Sequence, residues 1–263
     1  MAIRLTVLGS GSAGNATCIE AGGARILIDA GFSCRELGGR LRAVGVEPHR
    51  LDALVITHEH ADHIRGAALF SRTHHVPVYC TAATYRAANL DRQGVSAHVP
   101  VQAGVDFAIG GLRLRPFGVP HDAVETVGYT VECEEGRVGY ATDLGHGAEA
   151  VREGLRDCDF LMLESNHDEE MLRDGPYPQT VKDRVRSRHG HLDNRSAAEL
   201  LCAVSGERTK SVVLAHLSRT NNRPELALHA ARRGFEIAGR RPPALHPADQ
   251  WSPSPWFMIG EGR

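Results

Sequence analysis

The 263-residue chain has only six cysteines, Cys18, Cys34, Cys80, Cys133, Cys158 and Cys202, scattered and without a C-x-x-C pair. A disulfide framework is far denser in a far shorter chain, so reduced thiols in a cytoplasmic protein are expected. Aromatic residues make up 5% of the chain. That leaves few rings for stacking on nucleobases, with Tyr129 and Tyr177 the best placed by sequence. Net charge is -2, so no global field demands nucleic acid or a membrane surface, although a local basic patch stays open. No run approaches the ~20 apolar residues that span a bilayer, and no membrane association is expected. Residues 1–8 run straight into Gly9, too short for the apolar region of a signal peptide and with no cleavage site behind them.

The rest of the composition is ordinary. Hydrophobic content of 42% and charged content of 24% suit a soluble globular protein with a substantial core. Alternation predicts strands over 3–8, 112–117, 128–133 and 137–142, and a hairpin of 16–20 with 25–29 turning at Gly22-Gly23. Short apolar runs predict buried strands over 54–56, 76–80, 160–163 and 211–215. Helical spacing is expected over 33–44, 65–74, 84–93, 196–204 and 224–238. Strands and helices interleave without a low-complexity linker. We therefore expect one α/β domain over 1–263, its motifs within 1–225, followed by a C-terminal helix and a proline-rich tail over 224–263.

The chemistry concentrates in His58-Glu59-His60-Ala61-Asp62-His63. Three imidazoles and two carboxylates in six residues pack badly in a core. They follow a buried strand, where α/β proteins present ligands, and offer the donors expected for zinc, iron or manganese. A helix starting within the cluster turns Asp62 and His63 to a different face from His58 and His60, which makes two metal ions natural. One cluster cannot complete both sites. His121, Asp143 and His216 each end an apolar strand, and they are the remaining candidate ligands.

This order, His58-x-His60-x-Asp62-His63 followed by His121, Asp143 and His216, resembles the metallo-β-lactamase superfamily. The resemblance implies an αββα sandwich of two mixed β-sheets flanked by helices. It implies that His58, His60 and His121 hold one metal, that Asp62, His63 and His216 hold a second, and that Asp143 bridges them. His60 departs from the glutamate of the oxygen-reducing di-iron members and points to hydrolysis. Two cations lower the pKa of a water between them, and the spare oxygen of Asp62 could orient or deprotonate it. Glu59 and Asp122 are candidates to fix histidine tautomers.

Segments ending in Glu164, Gly190-His191 and Ala215-His216-Leu217-Ser218 resemble the phosphodiesterase branch that includes tRNase Z. By that likeness His191 is paired with Glu164 and protonates the leaving oxygen or stabilises the phosphorane. Asp193 or Asn194 can cap the helix that follows, and a capped helix start is the simpler explanation of Gly190-His191. Residues 9–15, Val119-Pro120-His121-Asp122-Ala123, Glu164-Ser165-Asn166-His167-Asp168 and Gly175-Pro176-Tyr177-Pro178 are together similar to the YycJ/WalJ subfamily, which implies 5′-to-3′ DNA exonuclease activity. Ser12, Asn15, Asn166 and His167 are expected to contact substrate. The 9–15 loop offers amides for an anion nest, but it lacks the Lys-Ser/Thr pair of a P-loop, so no nucleotide cofactor is expected; a tight turn lining the site is preferred. Lys182, Arg184, Arg186, Arg188, Arg195, Arg219 and Arg223 could neutralise phosphates, or form a solvated helix face. Hydrolysis of a small ester, thioester, lactone or cyclic phosphate is the competing enzymatic function, and a scaffold that kept the fold is the non-enzymatic one.

Overall fold

The computed structural model describes residues 2–260. The first half supplies β1 (Ile3–Gly9), β2 (Ala16–Ala21), β3 (Ala24–Ile28), β4 (Ala53–Val55), β5 (Val78–Thr81) and β6 (His98–Val101). The second supplies β7 (Phe107–Ile109), β8 (Leu112–Gly118), β9 (Val127–Cys133), β10 (Gly136–Ala141), β11 (Phe160–Glu164), β12 (Ser211–Ala215) and β13 (Ala244–Pro247), and β14 (Phe257–Ile259) then returns to the first half. They form two seven-stranded sheets, ordered β14-β1-β2-β3-β4-β5-β6 and β13-β12-β11-β10-β9-β8-β7. In the first, β14 through β3 pair antiparallel and β3 through β6 parallel. The second has the same design: β7 through β10 antiparallel, β10 through β13 parallel.

Period-two alternation explains the layering. Ile26 and Ile28 of β3 point into the core between the sheets, while Leu27 points to the helices. On β11, Phe160 and Met162 face the other sheet and Leu161 and Leu163 face outward under helices. Buried on both faces, these strands read in sequence as continuous apolar runs. The outer layer over the first sheet includes α1 (Cys34–Ala43), α2 (Ala61–Ile64), α3 (Ala67–His74), α4 (Ala82–Ala87) and α5 (Leu90–Gln93); the second half adds α6 (Glu149–Leu155), α7 (Glu169–Asp174), α8 (Gln179–Arg186), α9 (Asn194–Val204) and α10 (Pro224–Ile237).

The expected sandwich of two mixed sheets with flanking helices is therefore what forms. Two expected helices are altered. The one over 65–74 starts only at Ala67, as α3, after Gly66, where a Cβ would sit 2.2 Å from the Phe32 carbonyl oxygen. The one over 84–93 becomes α4 and α5, parted at Asn89, whose φ is +51°. The proline-rich tail is also more than a tail. It supplies an edge strand to each sheet, β13 and β14, too short and too flanked by proline to carry an alternation signal.

Candidate metal centre

The parallel strands end on one rim, and the polar residues gather there. Asp29 follows β3, His58 lies three residues after β4, Asp143 two after β10 and His216 directly after β12, while Glu164 closes β11. Asp29, Asp143 and His216 all have left-handed backbones, with φ of +64°, +57° and +52°. Non-glycine residues rarely adopt that conformation, and it is commonly retained where function demands a particular side-chain direction. The short helix α2 that carries Asp62 reaches the rim by a close approach: a Cβ on Gly31 would stand 1.7 Å from the Asp62 carbonyl oxygen.

His58, His60 and His121 form one donor group; Asp62, His63, Asp143 and His216 form a second, the donor atoms of each lying within 4.8 Å of one another. Asp143 spans the two. Its Oδ2 lies 3.0 Å from His63 Nε2 and its Oδ1 3.8 Å from His121 Nε2. The histidine tautomers suit a cation. His63 donates through Nδ1 to Asp29 Oδ2 at 2.8 Å, and His121 through Nδ1 to the Gly190 carbonyl at 3.2 Å. His216 donates through Nδ1 to Glu164 Oε1 at 3.0 Å. In each ring Nε2 faces the centre, where it can ligate once it carries no proton. His58 Nε2 is buried with no hydrogen-bond partner. Orphaned buried polar atoms are costly, and a divalent cation satisfies them. The donor set thus fits a divalent cation.

Electrostatics agree. Burial, then the neighbouring imidazole of His63, pushes His58 well below the usual histidine range, and burial lowers His121. Both stay neutral and able to ligate. At His216 burial opposes a charge, but Asp143, Asp62 and Glu164 outweigh it and raise the pKa to about 10. His63 is likewise raised, against burial, by Asp143, Asp29 and Asp62. In the metal-free protein, protons on these rings supply the positive charge that the carboxylates demand.

Glu164 is fully buried and joins the centre to His191. Its Oε1 accepts from His191 Nδ1 at 2.8 Å as well as from His216, and its Oε2 accepts the amides of Leu144 and Leu192 at 3.0 and 3.2 Å. Burial raises the Glu164 pKa, but His191 and His216 prevail and hold it at about 2. Gly190 permits the turn before His191: a Cβ there would meet the Val185 carbonyl oxygen at 2.2 Å. Asp193 caps α9 through the amides of Arg195 and Ser196, so the capped helix start and the placement of His191 coexist. The side chains of His60, Asp62 and His191 are 30%, 21% and 20% exposed, and define the open side of the centre.

Other expected residues lie elsewhere than anticipated. Asn15 is fully buried; its amide group engages Ser10, Gly11, the Asp62 carbonyl and His63. Asn166 lies beneath His216, donating to its carbonyl at 2.9 Å. His167 is buried behind the centre with neither ring nitrogen hydrogen-bonded. Ser12 alone of the four is exposed. The amides of Ser10, Gly11, Ala13, Gly14 and Asn15 are all taken by protein acceptors, so the loop is a tight turn and not an anion nest. Asp122 stands beside the ligands, 3.3 Å from His121 Nε2, and is ion-paired with Arg184, whereas Glu59 turns away to the Val124 amide. Arg184, Arg186 and Arg195 are paired with Asp122, Glu169 and Glu199, which spends much of the basic stretch on carboxylates. Tyr129 is in the core, bonded to the Ile56 carbonyl, and cannot stack on a base. Sequence pattern alone does not single out Asp29 or its partner Thr57; the one signal is an aspartate closing an apolar strand, as at Asp143.

Two facing mixed sheets with a histidine–aspartate metal centre on their shared rim define the αββα class of metal-dependent hydrolases. The chain belongs to the β-lactamase superfamily: the model of the family described as "Beta-lactamase superfamily domain" matches residues 24–217. It is 34% identical over 228 residues to "Exodeoxyribonuclease WalJ" of Streptococcus pneumoniae, covering 85% of each chain. It is 31% identical over 245 residues to "Exodeoxyribonuclease YycJ" of Bacillus anthracis, covering 91% of each. The metallo-β-lactamase fold protein YhfI from Bacillus subtilis superposes with a TM-score of 0.76 at 16% identity, over 98% of this chain and 100% of that one. No helix among the described residues is long and apolar enough to cross a membrane.

Proposed function

We propose that the protein is a metal-dependent exodeoxyribonuclease, built as one domain over 1–263, that holds two divalent cations, whether zinc, manganese or iron. His58, His60 and His121 would hold one, Asp62, His63 and His216 the other, with Asp143 available to both. When bound, the cations would supply Lewis acidity and make water acidic enough to lose a proton near neutrality. The remaining work falls to the chain. Asp62 turns Oδ2 toward His63 and His216, where it would ligate, and keeps Oδ1 to orient the attacking water or take its proton. His191 presents Nε2 to the leaving oxygen and returns a proton to it. Ser12 is placed to contact the substrate.

The observation that carries this reading is the Glu164 carboxylate shared by His191 and His216. It ties a proton donor to a metal ligand at fixed separation. A phosphodiester expels an alkoxide that needs that proton, whereas thioester or lactone opening makes less use of it. The two exodeoxyribonuclease relatives support DNA as substrate. Six unpaired cysteines fit a cytoplasmic location.

End-labelled single- and double-stranded DNA, incubated with Mn²⁺ or Zn²⁺, tests the reading. Digestion from the 5′ end that is lost in His58→Ala is expected. Intact DNA, with bis-p-nitrophenyl phosphate still hydrolysed, would move the substrate to a small phosphodiester.

A further inference from the structure

Arg219 and Trp251 meet beside the metal centre, and the centre's own hydrogen bonding uses neither. The guanidinium carbon of Arg219 lies 4.7 Å from the centre of the Trp251 ring. Arg219 is three residues beyond His216. Trp251 arrives from the far end of the chain, and several contacts fix it there. The Ser10 amide donates to the Asp249 carbonyl at 3.1 Å, while the His216 amide donates to Ser10 Oγ at 2.9 Å. A Cβ on Gly11 would lie 2.6 Å from Gln250 Oε1 and 3.4 Å from the Leu217 carbonyl. The Asp249 carboxylate receives the amides of Trp251 and Ser252. The 9–15 loop, the turn after β12 and residues 249–252 therefore pack as one unit on the Asp62–His216 side of the centre.

The two side chains are unusual for this surface. Trp251 is 58% exposed, the only aromatic among the exposed large hydrophobic residues described. Arg219 covers one face of the indole, and more than half of the residue's surface stays open to solvent. Arg219 has no carboxylate partner among the described residues, unlike Arg184, Arg186 and Arg195. An indole held still by a cation on its back is a preorganised stacking surface, and the unpaired guanidinium is free for a phosphate.

We propose that Arg219 and Trp251 form a ledge that takes one nucleotide of single-stranded DNA, the base stacking on the indole face away from Arg219 and its phosphate pairing with Arg219. The ledge rests on the exonuclease reading above. Single strands are favoured because the bases of a duplex already stack on one another and leave no face for the ring.

Tryptophan fluorescence during titration with a short single-stranded oligonucleotide reads the ledge directly. The other tryptophan, Trp256, is partly buried and donates to the Val44 carbonyl. Quenching is expected in the wild type and in Trp256→Phe and absent in Trp251→Phe. Trp251→Ala should raise KM for single-stranded DNA on the order of 10-fold, the effect of one lost stacked base, with much of the loss recovered in Trp251→Phe. Arg219→Ala should reduce the salt dependence of binding by roughly one phosphate contact. If the wild type digests DNA while Trp251→Ala keeps its KM and Trp251→Phe still quenches, the ledge is wrong and the exonuclease reading stands. If the wild type neither binds nor digests DNA, the exonuclease reading fails and the ledge falls with it.

Discussion

The Asp29 carboxylate lies 2.8 Å from Nδ1 of His63, with both side chains fully buried. Asp29 also accepts the amide and hydroxyl of Thr57 at 2.9 and 3.0 Å. This contact decides which nitrogen of His63 faces the centre. Asparagine tolerates the left-handed backbone of position 29 but cannot replace a carboxylate on a ligating imidazole. Asp29→Asn should weaken metal affinity by roughly 10–100-fold. Metal content after dialysis against graded chelator checks this; affinity equal to wild type would remove Asp29 from the centre.

His191 belongs to neither the His58 group nor the His63 group of donors; it lies with Asp143, Glu164 and His216 and shares Glu164 with His216. His191→Ala should keep bound metal and lower kcat for phosphodiester cleavage by about 10²–10⁴-fold, with KM little changed. Glu164→Gln should do harm on both counts, because a neutral amide oxygen holds the two imidazoles more weakly and its NH2 would face the Leu144 and Leu192 amides. Steady-state kinetics beside metal analysis separate the two variants. An unchanged kcat in His191→Ala would show that it donates no proton.

Metal uptake should be coupled to protons. His63 and His216 have raised pKa values in the metal-free protein, His216 at about 10. Both are protonated at neutral pH, and each must lose its proton to ligate. Binding at pH 7 should therefore release about one to two protons, and affinity should rise with pH up to the raised values. Calorimetric titration in buffers of different ionisation enthalpy measures the release. Uptake of protons, or none exchanged, would contradict the assigned ligands.

Gln250 tests the role of the tail. Its side chain is buried and accepts from the Ala13 amide at 2.9 Å while donating to the Gly14 carbonyl at 2.8 Å. Gln250→Ala leaves both backbone groups without a partner, at a cost of roughly 1–3 kcal/mol. Thermal unfolding followed by circular dichroism should show a midpoint lower by several degrees. No shift would mean that water replaces the glutamine and that the loop does not depend on the tail.

Much of the fold and of the centre is legible in the sequence. The candidate ligands sit at ends of apolar runs because the parallel strands of both sheets terminate on one rim, and strand ends are visible in sequence. Glu164 and His191 were paired by resemblance, and they meet at 2.8 Å. What stayed hidden depends on contacts remote in sequence. Asn15 looked like a substrate donor because its loop is rich in glycine and serine; only the fold reveals that Asp62 and His63 use its amide. Asp29 belongs to a site 34 residues away. Trp251 lies in a stretch whose prolines suggested no structure at all, and α8 is polar on nearly every side, so no apolar stripe announced it.

The most direct test of the central claim is a metal titration of chelator-stripped protein, with bound metal and release of label from 5′-end-labelled single-stranded DNA followed together. Digestion should be absent in the stripped protein and rise with Mn²⁺ or Zn²⁺ to a plateau at two ions per chain. Full digestion without metal, or a plateau at a single ion, would contradict the two-cation exonuclease described above.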